Sequence, residues 1–327
     1  MKDTFIIDIS NHDVHLASSL SNIVSNEHNN HAYSHTLTVI GQAITPYLLD
    51  GVLQKLKAVF TPVSAAFHHL HQHMGDDAIE IRGEVINAEP EHIKSLLGDV
   101  SDAYNLDVGL QASRPSLSKP GLLVMDMDST VIAIECIDEI AKLAGVGEQV
   151  AEVTAKAMRG EIAFNDSLTH RVACLEGVPI EHLNQIRDSI PIMPGIQTLL
   201  NHLKKHDWKL AIASGGFTFF ADHLKARLGL DYAISNTLAI KNGHLTGKVE
   251  GEIINADVKA RTVKALSKQW GIPSNQTVAM GDGANDLVMM AESALGVACH
   301  GKPLVNEKAD VAIRIGSLHS LLYFLDK

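Results

Sequence analysis

From residue 120 onward the chain repeats one pattern: a short apolar run ends abruptly in an acidic or glycine-rich polar turn. Leu122 to Met125 runs into Asp126, Trp208 to Ala213 into Ser214-Gly215-Gly216, and Thr277 to Met280 into Gly281-Asp282-Gly283. Helical spacing fills the intervals, notably Gly195 to His206 and Phe217 to Leu228. Unbroken apolar runs suit strands covered on both faces, and strands that alternate with helices form a parallel sheet. The pattern predicts an α/β fold. In such sheets ligands sit beyond the carboxyl ends of the strands, and all three turns fall on that edge. Asn242-Gly243, between Leu238-Ala239-Ile240 and Leu245-Thr246-Gly247, predicts instead a two-residue hairpin outside the catalytic edge.

The 327 residues suffice for two domains of ordinary size. Ser113-Arg114-Pro115-Ser116-Leu117-Ser118-Lys119-Pro120 is poor in apolar residues and carries two prolines, which marks a linker. It separates a domain over residues 1–115 from one over 116–327. Ahead of it, His35 to Ile40 alternates like a strand, Leu48 to Phe60 has helical spacing, and Ile79 to Val85 alternates again. Glu91 to Tyr104 behind Pro90 forms a second helix and Asp107 to Ala112 a last strand, giving a βαββαβ-like α+β module. His68, His69, His71 and His73 have no Cys or carboxylate at ligand spacing, so a solvated strand is preferred there over a metal cluster.

Charge narrows the partners. The chain carries a net −11, most of it before residue 116, where 14 Asp and Glu meet 6 Lys and Arg. Such a balance repels nucleic acid and anionic lipid alike. Cys136, Cys174 and Cys299 are odd in number and widely spaced, which fits a reducing compartment better than a disulfide framework. The opening MKDTFIIDIS has acids within its apolar stretch and does not read as a secretion signal. No window approaches the roughly 20 apolar residues of a membrane span. A cytoplasmic location is expected.

The chemistry lies in the turns. In Asp126-Met127-Asp128, alternation sends both carboxylates the same way from one strand end. Held together, they destabilise each other's ionised form unless a cation is near or one keeps its proton. Asp282 and Asp286, in Gly281-Asp282-Gly283-Ala284-Asn285-Asp286, bring more carboxylates to the same edge. Oxygen donors with no His or Cys among them favour Mg²⁺. Asp286 could equally cap the helix that follows it. Ser214-Gly215-Gly216, opening the helix from Phe217, offers a hydroxyl and backbone N–H groups to a phosphate, or an ordinary helix cap. With Lys259 added, the set is what phosphoryl transfer through an aspartyl-phosphate requires.

Taken in order, Asp126-Met127-Asp128-Ser129-Thr130, Ser214-Gly215-Gly216, Lys259 and Gly281 to Asp286 resemble the four motifs of the haloacid dehalogenase superfamily, and within it those of the phosphoserine phosphatase branch. The resemblance covers about residues 120 to 327. It implies a Rossmann-like core with a helical cap inserted at about 135–200, and hydrolysis of O-phospho-L-serine, the last step of serine biosynthesis. By position, Asp126 would be the nucleophile and Asp128 the general acid and then base. Asp126, the Asp128 backbone carbonyl and Asp282 would ligate Mg²⁺, with Asp286 in support. Ser214 and Gly215 would hold the phosphoryl oxygens, Lys259 would offset charge, and Asn285 would lie beside the phosphate. In the cap, Glu135 would meet the substrate ammonium and Arg171 its carboxylate, under an apolar cover of Met158 and Phe164. Residues 35 to 112 resemble an amino-acid-binding ACT-type extension.

Three alternatives remain on sequence grounds: another phosphomonoesterase, a phosphotransferase acting on a small phosphorylated amino acid, and an amino-acid-responsive regulatory protein. Oligomeric state is open, a homodimer included.

Overall fold

The computed structural model describes residues 33–86 and 88–327. The MKDTFIIDIS segment lies outside the described residues. Contacts divide the chain into two units, Met1–Ser118 together with Val297–Lys327, and Lys119–Gly296. Among the described residues no helix is long and apolar enough to cross a membrane.

The first unit holds an antiparallel sheet of β1 (His35–Gly41), β2 (Phe60–Phe67), β3 (Asp77–Val85) and β4 (Asp107–Gln111), in the order β2-β3-β1-β4. Helices α1 (Pro46–Leu56) and α2 (Pro90–Tyr104) complete the βαββαβ sequence. The hydroxyl of Thr45 accepts from Leu48 N–H to start α1, and Asn105, at φ 54°, stops α2. Leu37, Val39 and Ile81 meet Leu49, Val52, Leu56, Leu97 and Val100 in one core. Each such side chain contributes about 1.5–3 kcal/mol by leaving water.

Two sequence expectations are corrected here. The helical spacing of Leu48 to Phe60 overruns: α1 ends at Leu56, a turn donates Val59 N–H to Leu56 O, and Phe60 opens β2. Val59 and Phe60 are apolar because they enter the same core, so periodicity alone carried on past the turn. The four histidines are turn residues between β2 and β3 and form no solvated strand. His68 is 2% exposed. Its Nδ1 accepts from Leu70 N–H, and His71 Nδ1 accepts from Ala78 N–H. Burial, reinforced by His69 and Arg114, lowers the His68 pKa to about 3, so the imidazole is neutral.

The segment Val297–Lys327 is built into this first unit. The buried Asp107 carboxylate accepts from three successive backbone N–H groups, those of Arg314, Ile315 and Gly316, at 2.7–2.9 Å. His319 meets Asp76 at 2.7 Å, and Gln111 donates to Phe324 O.

In the second unit, β5 (Leu122–Met125) lies between β6 (Lys209–Phe217) and β9 (Thr277–Gly281), parallel to both. Strands β7 (Tyr232–Lys241) and β8 (His244–Glu250) form the predicted hairpin, with Asn242 and Gly243 both at positive φ. Within this unit the strand order is β9-β5-β6-β7-β8, and further along the chain β10 (Leu295–Cys299) pairs in parallel with β11 (Val311–Ile313). Of the five helices between β5 and β6, the first four form the insertion: α3 (Cys136–Leu143), α4 (Gly147–Met158), α5 (Phe164–Ala173) and α6 (Ile180–Asp188). They are followed by α7 (Ile196–Lys204) against the sheet, α8 (Thr218–Leu228) after β6, and α9 (Ala256–Trp270) after β8. The hairpin also braces the insertion: Leu245 O accepts from Gly177 N–H, and Val178 O from Leu245 N–H.

Candidate active site

The central place of β5 sets the site. Met125 pairs with Ile212 on one side and Met280 on the other, so the three strands end side by side. The ladder runs one residue further, Asp126 N–H donating to Met280 O, which draws Asp126 toward Asp282. The chain then folds tightly, Met127 O accepting from Thr130, Val131 and Ile132 N–H. Ser129 adopts φ 54°, a left-handed conformation uncommon for serine, and its hydroxyl donates to Glu135 at 2.8 Å.

Lys259 is 1% exposed and sits between two carboxylates, 2.9 Å from Asp126 Oδ2 and 2.8 Å from Asp286 Oδ1. Burial would strip its proton, but the two acids outweigh it and raise its pKa above that of an ordinary lysine. Asp286 is pushed upward by burial and by Asp126, against the pull of Lys259. It closes the turn after β9 by accepting from Gly283 N–H at 3.0 Å, and the short helix α10 (Leu287–Ala291) follows directly. Asn285 leans on it, Nδ2 to Asp286 Oδ1 at 3.4 Å. Thr130 donates to Asp282 at 3.4 Å. Oxygens of Asp126, Asp282 and Asp286 lie within 4.8 Å of one another, the one such acid, His or Cys cluster among the described residues. Three hard carboxylates this close suit a small divalent cation.

Asp128 faces a different environment. Burial first, then the negative charges of Glu135 and Asp126, hold its carboxyl well above the usual carboxylate range. An acid salt-bridged to a buried lysine beside one whose burial favours the protonated form divides the roles of nucleophile and proton donor.

Ser214-Gly215-Gly216 lies within β6 and not in a turn, while α8, the helix expected from Phe217, begins at Thr218 with Phe217 as its N-cap. These residues are the bulged end of β6, where the register with β7 shifts between Ala213 and Phe217. The glycines obscured the strand because they read as a turn. They are needed for close approach: a Cβ on Gly216 would lie 2.5 Å from Met127 Cε and 2.8 Å from Asp128 Oδ2. Gly216 N–H donates to the buried Ser214 Oγ at 3.0 Å.

The inserted helices contribute from above. Phe164, first residue of α5, reaches 3.0 Å from the place a Gly215 Cβ would occupy. Arg171, also on α5, has its Nε buried with no hydrogen-bond partner among the described residues. Burial lowers its pKa, and the carboxylates of Asp138, Glu135 and Asp128 oppose that shift. Glu135 is the exposed N-cap of α3, and its carboxylate accepts from the Ser129 hydroxyl. Met158, in the last turn of α4, is 74% exposed and is not gathered with the others. Sequence reasoning missed Asn236, a fully buried amide on β7 that bonds the backbone of Gly215 and of Ile254. A lone Asn in a strand gives no motif to find it by.

A family model for haloacid dehalogenase-like hydrolases matches residues 121–293. The chain belongs to the haloacid dehalogenase-like hydrolase family. A phosphoserine phosphatase of Vibrio cholerae is 53% identical over 223 residues, covering 68% of this chain and 68% of that protein. One from Haemophilus influenzae is 51% identical over 220 residues, covering 67% and 70%. The unliganded crystal structure of a probable phosphoserine phosphatase from Vibrio cholerae superposes with a TM-score of 0.73 at 43% identity, covering 89% of this chain and 86% of that one. This haloacid dehalogenase-like hydrolase thus shares both sequence and fold with phosphoserine phosphatases.

Proposed function

We propose that the chain hydrolyses O-phospho-L-serine to L-serine and phosphate through an aspartyl-phosphate on Asp126. The observation that carries the reading is the pairing of Asp126, 2.9 Å from the buried Lys259 ammonium, with Asp128, whose carboxyl burial and Glu135 hold well above the usual carboxylate range. An Asp126 oxygen attacks phosphorus while the bond to the serine oxygen breaks, and Asp128 gives that oxygen its proton. Asp128, now a carboxylate, takes a proton from water as the water attacks the same phosphorus. Phosphate leaves and Asp126 is restored. Ser214 and the backbone around Gly215 hold the phosphoryl oxygens, and Lys259 balances their charge. In this reading Asn285, whose Nδ2 donates to Asp286 Oδ1, is assigned to the phosphate's side of the site.

The oxygen donors of Asp126, Asp282 and Asp286 fit Mg²⁺, with the Asp128 carbonyl as a further ligand. When bound, the ion neutralises charge on the phosphoryl group. Glu135 receives the substrate ammonium, and Arg171, with its unpartnered Nε, the carboxylate. Phe164 covers the apolar part, with Met158 joining if α4 closes. The amino-terminal unit over residues 1–115 takes an ACT-like, amino-acid-binding role beside a phosphatase domain over 116–327, in a cytoplasmic protein whose substrate is a small molecule.

Phosphate release from phosphoserine, phosphothreonine and phosphohomoserine, with Mg²⁺ and with EDTA, tests the reading. Phosphoserine is the preferred substrate, and EDTA removes the activity reversibly. Full turnover without a divalent ion, or preference for another ester, overturns it. Arg171→Ala raises KM for phosphoserine by about 10²-fold, the worth of a lost charge-assisted bond. It leaves hydrolysis of p-nitrophenyl phosphate, which has no carboxylate, within threefold. Equal losses on both substrates would sink the assigned contact.

A further inference from the structure

We infer that Asn236 is a positioning residue that orients the phosphoryl cradle and ties it to the helix bearing Lys259. The bulge at Ser214 to Gly216 takes these residues out of the β6–β7 ladder, which resumes with Phe217 opposite Asn236. Gly215 C=O therefore loses a strand partner inside the protein, where an unmet carbonyl is costly. The Asn236 side chain supplies one, its Nδ2 donating to Gly215 O at 2.8 Å. Its Oδ1 accepts from Ile254 N–H at 2.9 Å. Asn236 is fully buried, so both ends of its amide are committed to the backbone.

The consequence follows from the planarity of the peptide between Gly215 and Gly216. Its carbonyl is held by Asn236, and its N–H, on the opposite side, donates to Ser214 Oγ. With one lone pair of that oxygen taken by Gly216 N–H, the Ser214 hydroxyl hydrogen remains for another acceptor such as a phosphoryl oxygen. The same amide fixes Ile254, one residue before Asn255, which caps α9 by accepting from Val258 N–H at 3.1 Å. Asn255 O in turn accepts from Lys259 N–H at 3.0 Å. One side chain thus sets the direction of a phosphoryl donor and anchors the start of the helix that carries the ammonium.

The inference rests on the reading of Ser214 and Gly215 as the phosphoryl cradle. Its test uses the full chain with Mg²⁺, measuring kcat and KM for phosphoserine, competitive inhibition by inorganic phosphate, and Tm. Asn236→Ala lowers kcat about 30-fold and raises the phosphate Ki about 10-fold, as expected for misdirected donors. Asn236→Ser, whose short hydroxyl cannot reach both backbone partners, shows the same direction and serves if the alanine variant does not fold. A residue that only stabilises the bulge would lower Tm and leave Ki alone. A folded variant with kcat and Ki within twofold of the parent overturns the inference, as does failure of both variants to fold. If the unsubstituted protein releases no phosphate from phosphoserine, the proposed function fails instead, before the variants are compared.

Discussion

Asp126→Asn stops turnover: kcat falls by about 10⁴-fold or more, the loss typical of a removed nucleophile. The amide cannot form the acyl phosphate, yet it keeps the geometry of the site. Its oxygen can still accept from Met127 N–H, as Asp126 Oδ1 does at 2.8 Å. The fold should therefore be retained, and circular dichroism and gel filtration match the parent. Rapid-quench assays with labelled phosphoserine show a protein-bound phosphoryl group in the parent and none in the variant. Retention of a tenth of the activity would refute Asp126 as nucleophile.

Lys259→Met is the second large effect, and it reaches stability as well as rate. The ammonium separates Asp126 and Asp286, which are both buried. Removing it leaves two carboxylates facing each other without a counter-charge, and breaking a buried ion pair costs about 3–5 kcal/mol. In a unit of this size that lowers Tm by roughly 10 °C in EDTA. Mg²⁺ restores part of the loss, because a divalent ion among the three aspartates supplies the missing charge. Activity falls by about 10²–10³-fold even with the ion, since a donor aimed at the phosphoryl group is gone. A Tm within 2 °C of the parent in EDTA would show that the two acids do not depend on Lys259.

What the sequence conveyed, and what it hid, follows from how far each signal extends along the chain. Asp126 and Asp128 could be read together because strand alternation is a local rule, and Asp282 to Asp286 because glycines and acids share six consecutive positions. The hairpin at Asn242-Gly243 was legible for the same reason. Phe60 was assigned to a helix because an apolar residue entering a core looks alike at the end of a helix and the start of a strand. Ser214 to Gly216 read as a turn ahead of the helix from Phe217, since the bulge that keeps them in β6 is visible only against β7. Asn236 escaped notice because its partners lie 21 residues before it and 18 after it. His68 read as solvated because nothing in its neighbours announces that the turn is folded inward.

The Asp107 clamp on Arg314 to Gly316 bears on biosynthesis. A ribosome delivers Asp107 long before the backbone that fills its carboxylate, because all of Lys119–Gly296 is made in between. At about 5–20 residues per second the delay is on the order of ten seconds or more. Throughout that interval a buried acid and its apolar surroundings lack their final cover. The amino-terminal unit therefore matures last although it is translated first, and the nascent chain is most exposed to proteases and to sticking where a simple order of synthesis would place its oldest, safest part.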